Sequence, residues 1–478
     1  MSEATQMQGT SCFSEKEDIL KFISTNNIRI LNLCHIPEDG KLRTLSFSAI
    51  NKDRVSEILD FGERADGSSL FSSIEPGKSD IYITPRIQRA FVNPFSTLQT
   101  LNIMGDYLDE DGQPLEIAPG TVLRKAEENL RTSKGIVLKA LAELEFYVMA
   151  SQQTPPLFPA EPDSNYHASS PFTQFEDIRN ETLATLEMIG VPTKYGHGEV
   201  GSILGKEGLL REQHEIEFSL QTPSQMAETI ALAKWTIRNV CLRRGVSVSF
   251  IPKIDLAHAG TGMHIHMCAM KRERNIVADS QRTLSKEALA MIGGILKLAP
   301  SLSAFGNPTP ISYLRFIARK ESPMHICWGA RNRLALIRIP LWWNLSKNTI
   351  SANCQETFEY RAPDAFANPY ILLAGLAIAA EYGLSNAEET RRIAENLHVE
   401  RISHKPRKLR ALPRSCSESA ANLRKQRQFY EKDNMFPKKL VDNILSRLDA
   451  YGDKNLWKEL SATPEKFWTL ASQYMHLS

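Results

Sequence analysis

The chain reads AELEF at residues 142–146, and this stretch decides the fold that the sequence predicts. Apolar Leu144 and Phe146 alternate with Glu143 and Glu145. Alternate side chains of a β-strand point to the same face of a sheet. The pattern therefore predicts a strand that turns two carboxylates to one face and its apolar residues to the core.

Three further segments place acidic, basic or imidazole side chains at the same alternate spacing. They are Glu215-Ile216-Glu217, His264-Ile265-His266 and Glu359-Tyr360-Arg361. Taken alone, each is typical of a solvated strand face or of a weak surface ion pair. Together they provide carboxylate oxygens and imidazoles, which suit hard divalent cations such as Mg²⁺ or Mn²⁺. Since crowded carboxylates repel each other without cations between them, the segments predict a metal site that would hold a nucleotide's phosphates.

Several arginines lie close together between residues 315 and 361. They are Arg315, Arg331, Arg333, Arg338 and Arg361. A guanidinium group binds phosphate or carboxylate through two parallel hydrogen bonds. Any one of these residues alone would be an ordinary surface arginine, but as a group they predict an anion site. Glu321 lies among them and is a candidate general base.

Composition narrows the class of protein. The chain has 478 residues, of which 42% are apolar, and this is ample for a large core. A net charge of +2 gives no support for a partner such as nucleic acid or a membrane surface. The seven cysteines are odd in number and scattered, which favours a reducing cytoplasm over a disulfide framework. No apolar leader is present at the N-terminus, and the apolar run 370–384 is short enough to be a buried helix.

Turn and capping signals divide the chain. Short β-rich runs at 28–33 and 42–47 flank a turn at 37–40, and a second turn at 109–112 marks a boundary. The first dozen residues are polar and are predicted to be disordered. Thr222 followed by Pro223 and, three residues on, Gln225 predicts a helix that runs to about Arg244. Apolar spacing predicts two more helices over 175–189 and 284–298.

Short motifs follow one another in a fixed order along nearly the whole chain. They are DGSS at 66–69, SD at 79–80, PF at 94–95, AELEF at 142–146, FIPK at 250–253, GMHIH at 262–266, NPT at 307–309, ARNR at 330–333, RIP at 338–340, EYRAPD at 359–364 and ANPY at 367–370. In sequence and order they resemble the motifs of the glutamine synthetase family, the ATP-dependent ligases that join ammonia to glutamate.

The resemblance implies an α+β fold. After a disordered tail at 1–14, a small β-grasp domain would cover 15–112. A catalytic domain with a curved antiparallel sheet flanked by helices would cover 113–478. It also implies ATP as a substrate, two or three Mg²⁺ or Mn²⁺ ions per site, and a ring-shaped homo-oligomer, a dodecamer by family likeness, with active sites between subunits.

The resemblance also assigns roles to individual residues. Metal ligands would be Glu145, Glu199 and Glu215 for one ion, and Glu143, His264 and Glu359 for the other. The amino-acid substrate and the transferred phosphoryl group would be bound by Gly260, Arg315, Arg333 and Arg361, and the nucleotide by His266, Arg333 and Arg338. Ammonium would be bound by Tyr166 and by Asp66 of a neighbouring subunit, and Glu321 would close the site.

The chain departs from the family pattern at several places, which keeps alternatives open. The segment between Glu199 and Glu215 is longer than in the family, so Glu207 is an alternative to Glu215 as a metal ligand. Ala259 replaces an asparagine of the glutamate loop, and Thr357 replaces an arginine of the nucleotide site. Three functions are therefore weighed: glutamine synthesis, ligation of glutamate to a larger amine such as a polyamine, and a non-catalytic role on the same fold.

Overall fold

The structure is a computed structural model. It describes residues 13–151, 158, 161–205, 208–281, 283–317, 322–342, 356–400, 409–463 and 465–477. The predicted tail up to residue 12, Glu207 and Glu321 lie outside these ranges.

The N-terminal part is built on a five-stranded sheet with two helices packed against it. Its helices and strands are α1 (Lys16–Thr25), β1 (Ile30–His35), β2 (Arg43–Ser48), α2 (Lys52–Phe61), β3 (Glu63–Asp66), β4 (Asp80–Val92) and β5 (Thr100–Leu108). The strand order is β2-β1-β5-β4-β3, and β1 and β5 are the parallel pair. Phe13, which the sequence places in the tail, is buried and meets the Phe22 ring edge-on.

A nine-stranded sheet carries the patterned segments of the sequence. Its strands are β6 (Val137–Ser151), β7 (Thr193–Leu204), β8 (Leu209–Phe218), β9 (Ser247–Ser249), β10 (Met263–Lys271), β11 (Arg274–Asn275), β12 (Trp328–Ala330), β13 (Ile337–Ile339) and β14 (Phe358–Tyr360). The main order is β12-β13-β14-β10-β6-β8-β7, antiparallel except between β12 and β13. The four strands with alternate polar residues are thus direct neighbours, β14-β10-β6-β8.

Helices surround this sheet, so the predicted α+β class is confirmed. They are α3 (Pro119–Lys134), α4 (Glu176–Met188), α5 (Pro223–Arg243), α6 (Lys286–Gly306), α7 (Pro310–Ile317), α8 (Pro369–Ser385), α9 (Ala387–Asn396), α10 (Cys416–Glu431), α11 (Lys438–Ala450), α12 (Leu456–Ala462) and α13 (Lys466–Tyr474). The capping box predicted for α5 is present: the Thr222 side chain accepts from the Gln225 amide, and Gln225 accepts in return. The helices predicted over 175–189 and 284–298 are α4 and the first part of α6.

Backbone packs directly against backbone where α6 crosses α8 and α9. A Cβ added to Gly294 would lie 2.2 Å from the carbonyl oxygen of Ala379, and one added to Gly383 would lie 2.2 Å from that of Ala290. Helix α6 is long and apolar enough to cross a membrane, and so is the bent pair α8 and α9 taken together. However, 89% of the most apolar 18-residue stretch of α6 is buried inside the protein, as expected of a core helix.

The cysteines that the structure describes are all buried and free. They are Cys34, Cys241, Cys268, Cys327 and Cys416. Burial raises the pKa of the Cys34 thiol to about 12, and that of Cys241 to about 12 as well. These side chains are therefore small apolar core residues.

Candidate active site

Strand pairing brings the alternate polar residues to one place. In the pairing of β6 with β10, Glu143 lies opposite His264. In the pairing of β6 with β8, Glu145 lies opposite Glu215. Glu359 of β14 lies opposite His266. Because opposite residues share a face of the sheet, side chains from four separate chain segments converge.

Glu143 lies between two imidazoles. One of its oxygens is 2.8 Å from Nδ1 of His264, and the other is 2.9 Å from Nε2 of His266. Burial alone would raise the pKa of the Glu143 carboxyl, but the positive charge of His266 and the hydrogen bonds from both imidazoles hold it well below its usual range. Glu359 completes the group, with an oxygen 3.5 Å from Nδ1 of His264. Donor atoms of Glu143, His266 and Glu359 lie within 4.8 Å of one another.

A second group of ligand-type residues forms on β7 and β8. Nε2 of His197 lies 3.3 Å from a Glu215 oxygen, and its Nδ1 lies 3.9 Å from Glu199. Burial and the charges of Glu143 and Glu145 raise the pKa of the Glu215 carboxyl well above its usual range. His197 was not predicted as a site residue, although His197 and Glu199 have the same alternate spacing as the four patterned strand segments.

Glu145 is held between these two groups. It accepts a hydrogen bond of 2.8 Å from the Gly262 amide and one of 2.9 Å from Nε2 of Gln213. Nε2 of His264 lies 3.8 Å from its other oxygen. Gln213 was not predicted to take part in the site; it fixes the orientation of the carboxylate.

Four of the five predicted arginines, Arg315, Arg333, Arg338 and Arg361, line the opposite side of the site, whereas Arg331 lines a separate cavity. Glu359, fully buried, accepts from Nη1 of Arg338 at 2.9 Å and from Nη1 of Arg361. Burial would raise the pKa of Glu359, but the charge of Arg361 outweighs it and the pKa is lowered. Arg315 is also buried, and it donates to the carbonyl oxygens of residues 361, 362 and 363. Both Arg338 and Arg361 also line the cavity, where guanidinium groups can bind an anionic ligand.

A cavity of about 590 Å³ separates the acidic side from the basic side. The predicted residues that line it are Glu143, Glu145, Tyr166, Glu199, Glu215, Gly260, His264, Arg315, Arg333, Arg338 and Arg361. His266 and Glu359 are buried behind Glu143. Asp163, Tyr195, His197 and Ala259 also line the cavity and were not predicted as site residues.

Asp66 lies outside this cavity. It is exposed at the end of β3, where it accepts hydrogen bonds from the Ser68 amide and from the hydroxyls of Ser68 and Ser69. The Ser68 and Ser69 hydroxyls lower the pKa of its carboxyl. Within one chain, the structure therefore does not bring Asp66 to the other site residues.

The two groups fit divalent cations. Mg²⁺ and Mn²⁺ bind oxygen and imidazole donors and not thiolates. Both groups consist of carboxylates and histidines. Burial, and next the charges of Glu143 and Glu145, raise the pKa of Glu215, so the carboxylates lie close together in a buried place. An ion between them would relieve their mutual repulsion.

Acidic and imidazole residues facing arginines across one cavity are the arrangement expected of a metal-dependent enzyme that acts on anionic substrates. The family model described as "Glutamine synthetase, catalytic domain" matches residues 116–449. The chain thus belongs to the glutamine synthetase family and is a ligase that forms C–N bonds. The family uses ATP and a divalent metal ion.

Individual relatives match this chain over most of its length. Glutamine synthetase of Thermotoga maritima is 29% identical over 469 residues, which cover 96% of this chain and 99% of that protein. A 3-hydroxylaminophenol mutase of Cupriavidus pinatubonensis is 27% identical over 455 residues, covering 89% of this chain and 93% of that protein. In fold, the chain is similar to the cryo-EM structure of Plasmodium falciparum glutamine synthetase, with a TM-score of 0.77 at 20% identity over 94% of this chain and 98% of that one.

Proposed function

We propose that this protein joins ammonia to the γ-carboxylate of glutamate at the expense of ATP, giving glutamine, ADP and phosphate. The observation that carries the proposal is the cavity with metal-ligand residues on one side and Arg315, Arg333, Arg338 and Arg361 on the other. A site of this kind can hold a nucleotide's phosphates against a second anionic substrate.

The chemistry explains why both sides are needed. A carboxylate has no good leaving group, so an amine cannot displace its oxygen directly. Transfer of the terminal phosphoryl group of ATP to the γ-carboxylate gives an acyl phosphate and ADP. Ammonia then attacks the acyl carbon, the bond to the phosphate oxygen breaks, and phosphate leaves. The arginines would stabilise the negative charge on the phosphoryl oxygens in both steps.

Residue roles follow from position and from family likeness. The ions would be held by Glu145, Glu199 and Glu215, with His197 beside the last two, and by Glu143, His264 and Glu359, with His266 behind. When bound, Mg²⁺ or Mn²⁺ would neutralise the phosphate oxygens of the nucleotide. The amino acid would bind at Gly260, Arg315 and Arg361, and the phosphoryl group at Arg333. Arg338 and His266 would face the nucleotide, and Tyr166 the ammonium ion. Glu321, outside the described residues, would close the site.

The proposal extends to the assembly. Asp66 is exposed on the N-terminal sheet, away from the cavity of its own chain. It would serve as the ammonium ligand of a neighbouring subunit in a ring of copies, a dodecamer by family likeness. The N-terminal domain would then cover 15–112 and the catalytic domain 113–478.

ADP release and product analysis test the function. Purified full-length protein is incubated with ATP, Mg²⁺ and glutamate, and with ammonium, hydroxylamine, putrescine or no amine. We expect ADP release that depends on amine and metal, with glutamine or γ-glutamyl hydroxamate found by mass spectrometry. Turnover with putrescine but not with ammonium would reject glutamine synthesis. No ADP release with any amine would indicate a non-catalytic member of the family.

Two features of the cavity favour the second candidate, a γ-glutamyl-amine ligase. The cavity wall at Ala259 carries only a methyl group where the family has asparagine. Aromatic rings of Tyr166 and His197 lie 5.3 Å apart along the same cavity, beside Glu199. Aromatic faces next to a carboxylate suit an organic ammonium group as well as NH₄⁺. The putrescine sample in the same experiment separates the two functions.

A further inference from the structure

A second cavity, here called the β1–α11 cavity, lies apart from the candidate active site. Its volume is about 280 Å³, and none of the residues that line it lines the catalytic cavity. The loop after β1 forms one side of it and α11 another, and the end of α6 and the start of α8 complete it. Pockets for small ligands in proteins begin at about this size, near 300 Å³. The cavity is therefore large enough for a small organic molecule.

The buried residues that line the β1–α11 cavity are mostly apolar. Phe305, Phe366, Leu440 and Leu448 are each no more than 9% exposed. Thr309 is also buried, but its hydroxyl already bonds to that of Ser312 at 3.0 Å. Water in such a place has few hydrogen-bond partners, so an apolar group that displaces it gains free energy.

Charged side chains surround the mouth of the cavity, and the acidic ones already have partners. Glu38 accepts hydrogen bonds from Nη1 of Arg447 at 3.2 Å and from the Ser72 amide at 3.0 Å. Asp39 accepts from Nη2 of Arg43 at 2.7 Å. An arginine therefore compensates each of the two negative charges.

Lys41 is the cation at the mouth that lacks such a partner. In the described part of the chain, no carboxylate forms an ion pair with its ammonium group, and only its backbone amide is hydrogen-bonded, to Asp39. Burial lowers the pKa of the Lys41 ammonium, so this charge is partly withdrawn from water. The mouth thus has a surplus of one positive charge, which an anionic group would complement.

Hydrogen bonds hold the loop that carries Lys41 in place. Nδ2 of Asn368, at the start of α8, donates to the carbonyl oxygen of Glu38 at 3.0 Å. Gly40 has a φ of +74°, and a Cβ added there would lie 3.4 Å from Cα of Asn368. The mouth is therefore formed before a ligand arrives, which reduces the entropy that binding would cost.

We infer that the β1–α11 cavity binds a small organic carboxylate, whose apolar body fills the buried part and whose carboxylate pairs with Lys41 at the mouth. The bound molecule would contact both the N-terminal sheet and α11, so it would stabilise the folded protein. The inference goes beyond the proposed function and does not depend on it, because no residue of the catalytic cavity takes part.

Binding of hydrocinnamate to the purified full-length protein tests the inference. By calorimetry we expect one site per chain, and by thermal denaturation a rise of the melting temperature. The uncharged hydrocinnamamide should bind about threefold more weakly, the effect of one partly exposed charge pair. Equal binding of acid and amide would overturn the role of Lys41. Absence of binding by both hydrocinnamate and isocaproate at concentrations up to about 5 mM would overturn the site.

Variants show where the molecule binds. Ile444→Trp puts a large side chain into the cavity from α11 and should abolish binding, whereas Ser446→Trp, at an exposed position of the same helix, should keep the wild-type Kd. Lys41→Met should no longer distinguish hydrocinnamate from its amide, and Lys52→Met, which removes another exposed lysine of the N-terminal part, should distinguish them as wild type does. Undiminished binding by Ile444→Trp would overturn the site.

Hydrogen exchange maps the bound molecule without any substitution. Hydrocinnamate should slow the exchange of amides in residues 36–42 and 438–450 and leave residues 255–262, beside the catalytic cavity, unchanged. Slower exchange at 255–262 alone would place the carboxylate among the catalytic arginines and overturn the inference. If wild type binds no carboxylate and Ile444→Trp forms smaller oligomers than wild type, the cavity holds part of a neighbouring copy instead, and the inference is likewise overturned.

Discussion

Glu143 is the residue on which the two imidazoles of β10 converge. Replacing it by glutamine keeps its size but removes the charge that both histidines face. For Glu143→Gln we expect loss of activity by about 100-fold or more, since even outer partners of metal ligands contribute 10- to 100-fold. Mg²⁺ should also raise the melting temperature of the variant less than that of wild type. The measurements are ADP release and thermal denaturation with and without metal.

A matched control for that change is Glu128→Gln. Glu128 is exposed on α3, where it pairs with Arg131. It should keep full activity and the full response to Mg²⁺. Wild-type activity in Glu143→Gln would remove Glu143 from the site.

His35 gives the stability a defined pH dependence. Burial, and next the charge of Arg43, lower the pKa of this imidazole from 6.5 to about 4. Below pH 6.5 this imidazole takes up a proton in the unfolded chain but stays neutral in the folded protein. The stability that is present above pH 6.5 is therefore lost as the pH falls towards 4. We expect the urea midpoint of wild type to fall more steeply between pH 6.5 and 4.5 than that of His35→Gln. The exposed His476→Gln should keep the wild-type slope, and parallel curves for wild type and His35→Gln would contradict this.

At the scale of single residues, the sequence predicted most of the residues that the structure brings together at the candidate site, because the sequence signal for them is local. Alternate spacing in four strands marked Glu143, Glu215, His264 and Glu359, and the structure places them on neighbouring strands. The bonds of Arg315 to three carbonyls could not be predicted, because they depend on where residues 361–363 fold. The same holds for Gln213, whose partner Glu145 lies on another strand.

Among the elements, the packing of α6 against α8 requires that Gly294 carries no side chain. In Gly294→Ala, the new methyl group would meet the Ala379 carbonyl at 2.2 Å, and backbone atoms cannot move aside as a flexible side chain can. We expect the free energy of unfolding to fall by about 3 kcal/mol, the upper end for overpacked cores. Denaturant unfolding of the purified protein measures it.

The control for that substitution is Gly77→Ala. An added Cβ at Gly77 has nothing within 4 Å. This variant should unfold within about 0.5 kcal/mol of wild type. Equal stability of Gly294→Ala and wild type would show that the two helices can separate without cost.

Element types were predicted better than element pairing. The helix α5 begins where the capping box at Thr222 predicts, because capping is decided by neighbours in sequence. The order β14-β10-β6-β8 joins segments up to about two hundred residues apart, and alternation alone cannot choose among possible neighbours. The longer segment between Glu199 and Glu215 had no predicted structure, and most of its described residues belong to β7 and β8.

At the scale of the whole molecule, the position of Asp66 predicts active sites shared between subunits. Co-expression of Asp66→Asn and Glu143→Gln chains with different tags gives mixed oligomers. If Asp66 serves a neighbour's site, a site is intact when its own chain keeps Glu143 and the neighbouring chain keeps Asp66. In randomly mixed rings this holds for about a quarter of the sites. We expect each variant alone to be impaired and the purified mixed oligomer to recover part of wild-type activity. Mixed oligomers no more active than the better single variant would place Asp66 in its own chain's site or outside catalysis.

The buried thiols have a practical consequence. A thiol with its pKa near 12 is almost wholly protonated at neutral pH and hidden from reagents, so alkylation has to wait until the chain opens. In a Cys12→Ser/Cys354→Ser background, mass spectrometry after a pulse of iodoacetamide would count opened molecules one cysteine at a time. Cys34 would report on the N-terminal sheet, Cys268 on the centre of the catalytic sheet and Cys416 on the C-terminal helices. The buried cysteines are thus natural probes for the order in which the parts of the protein unfold.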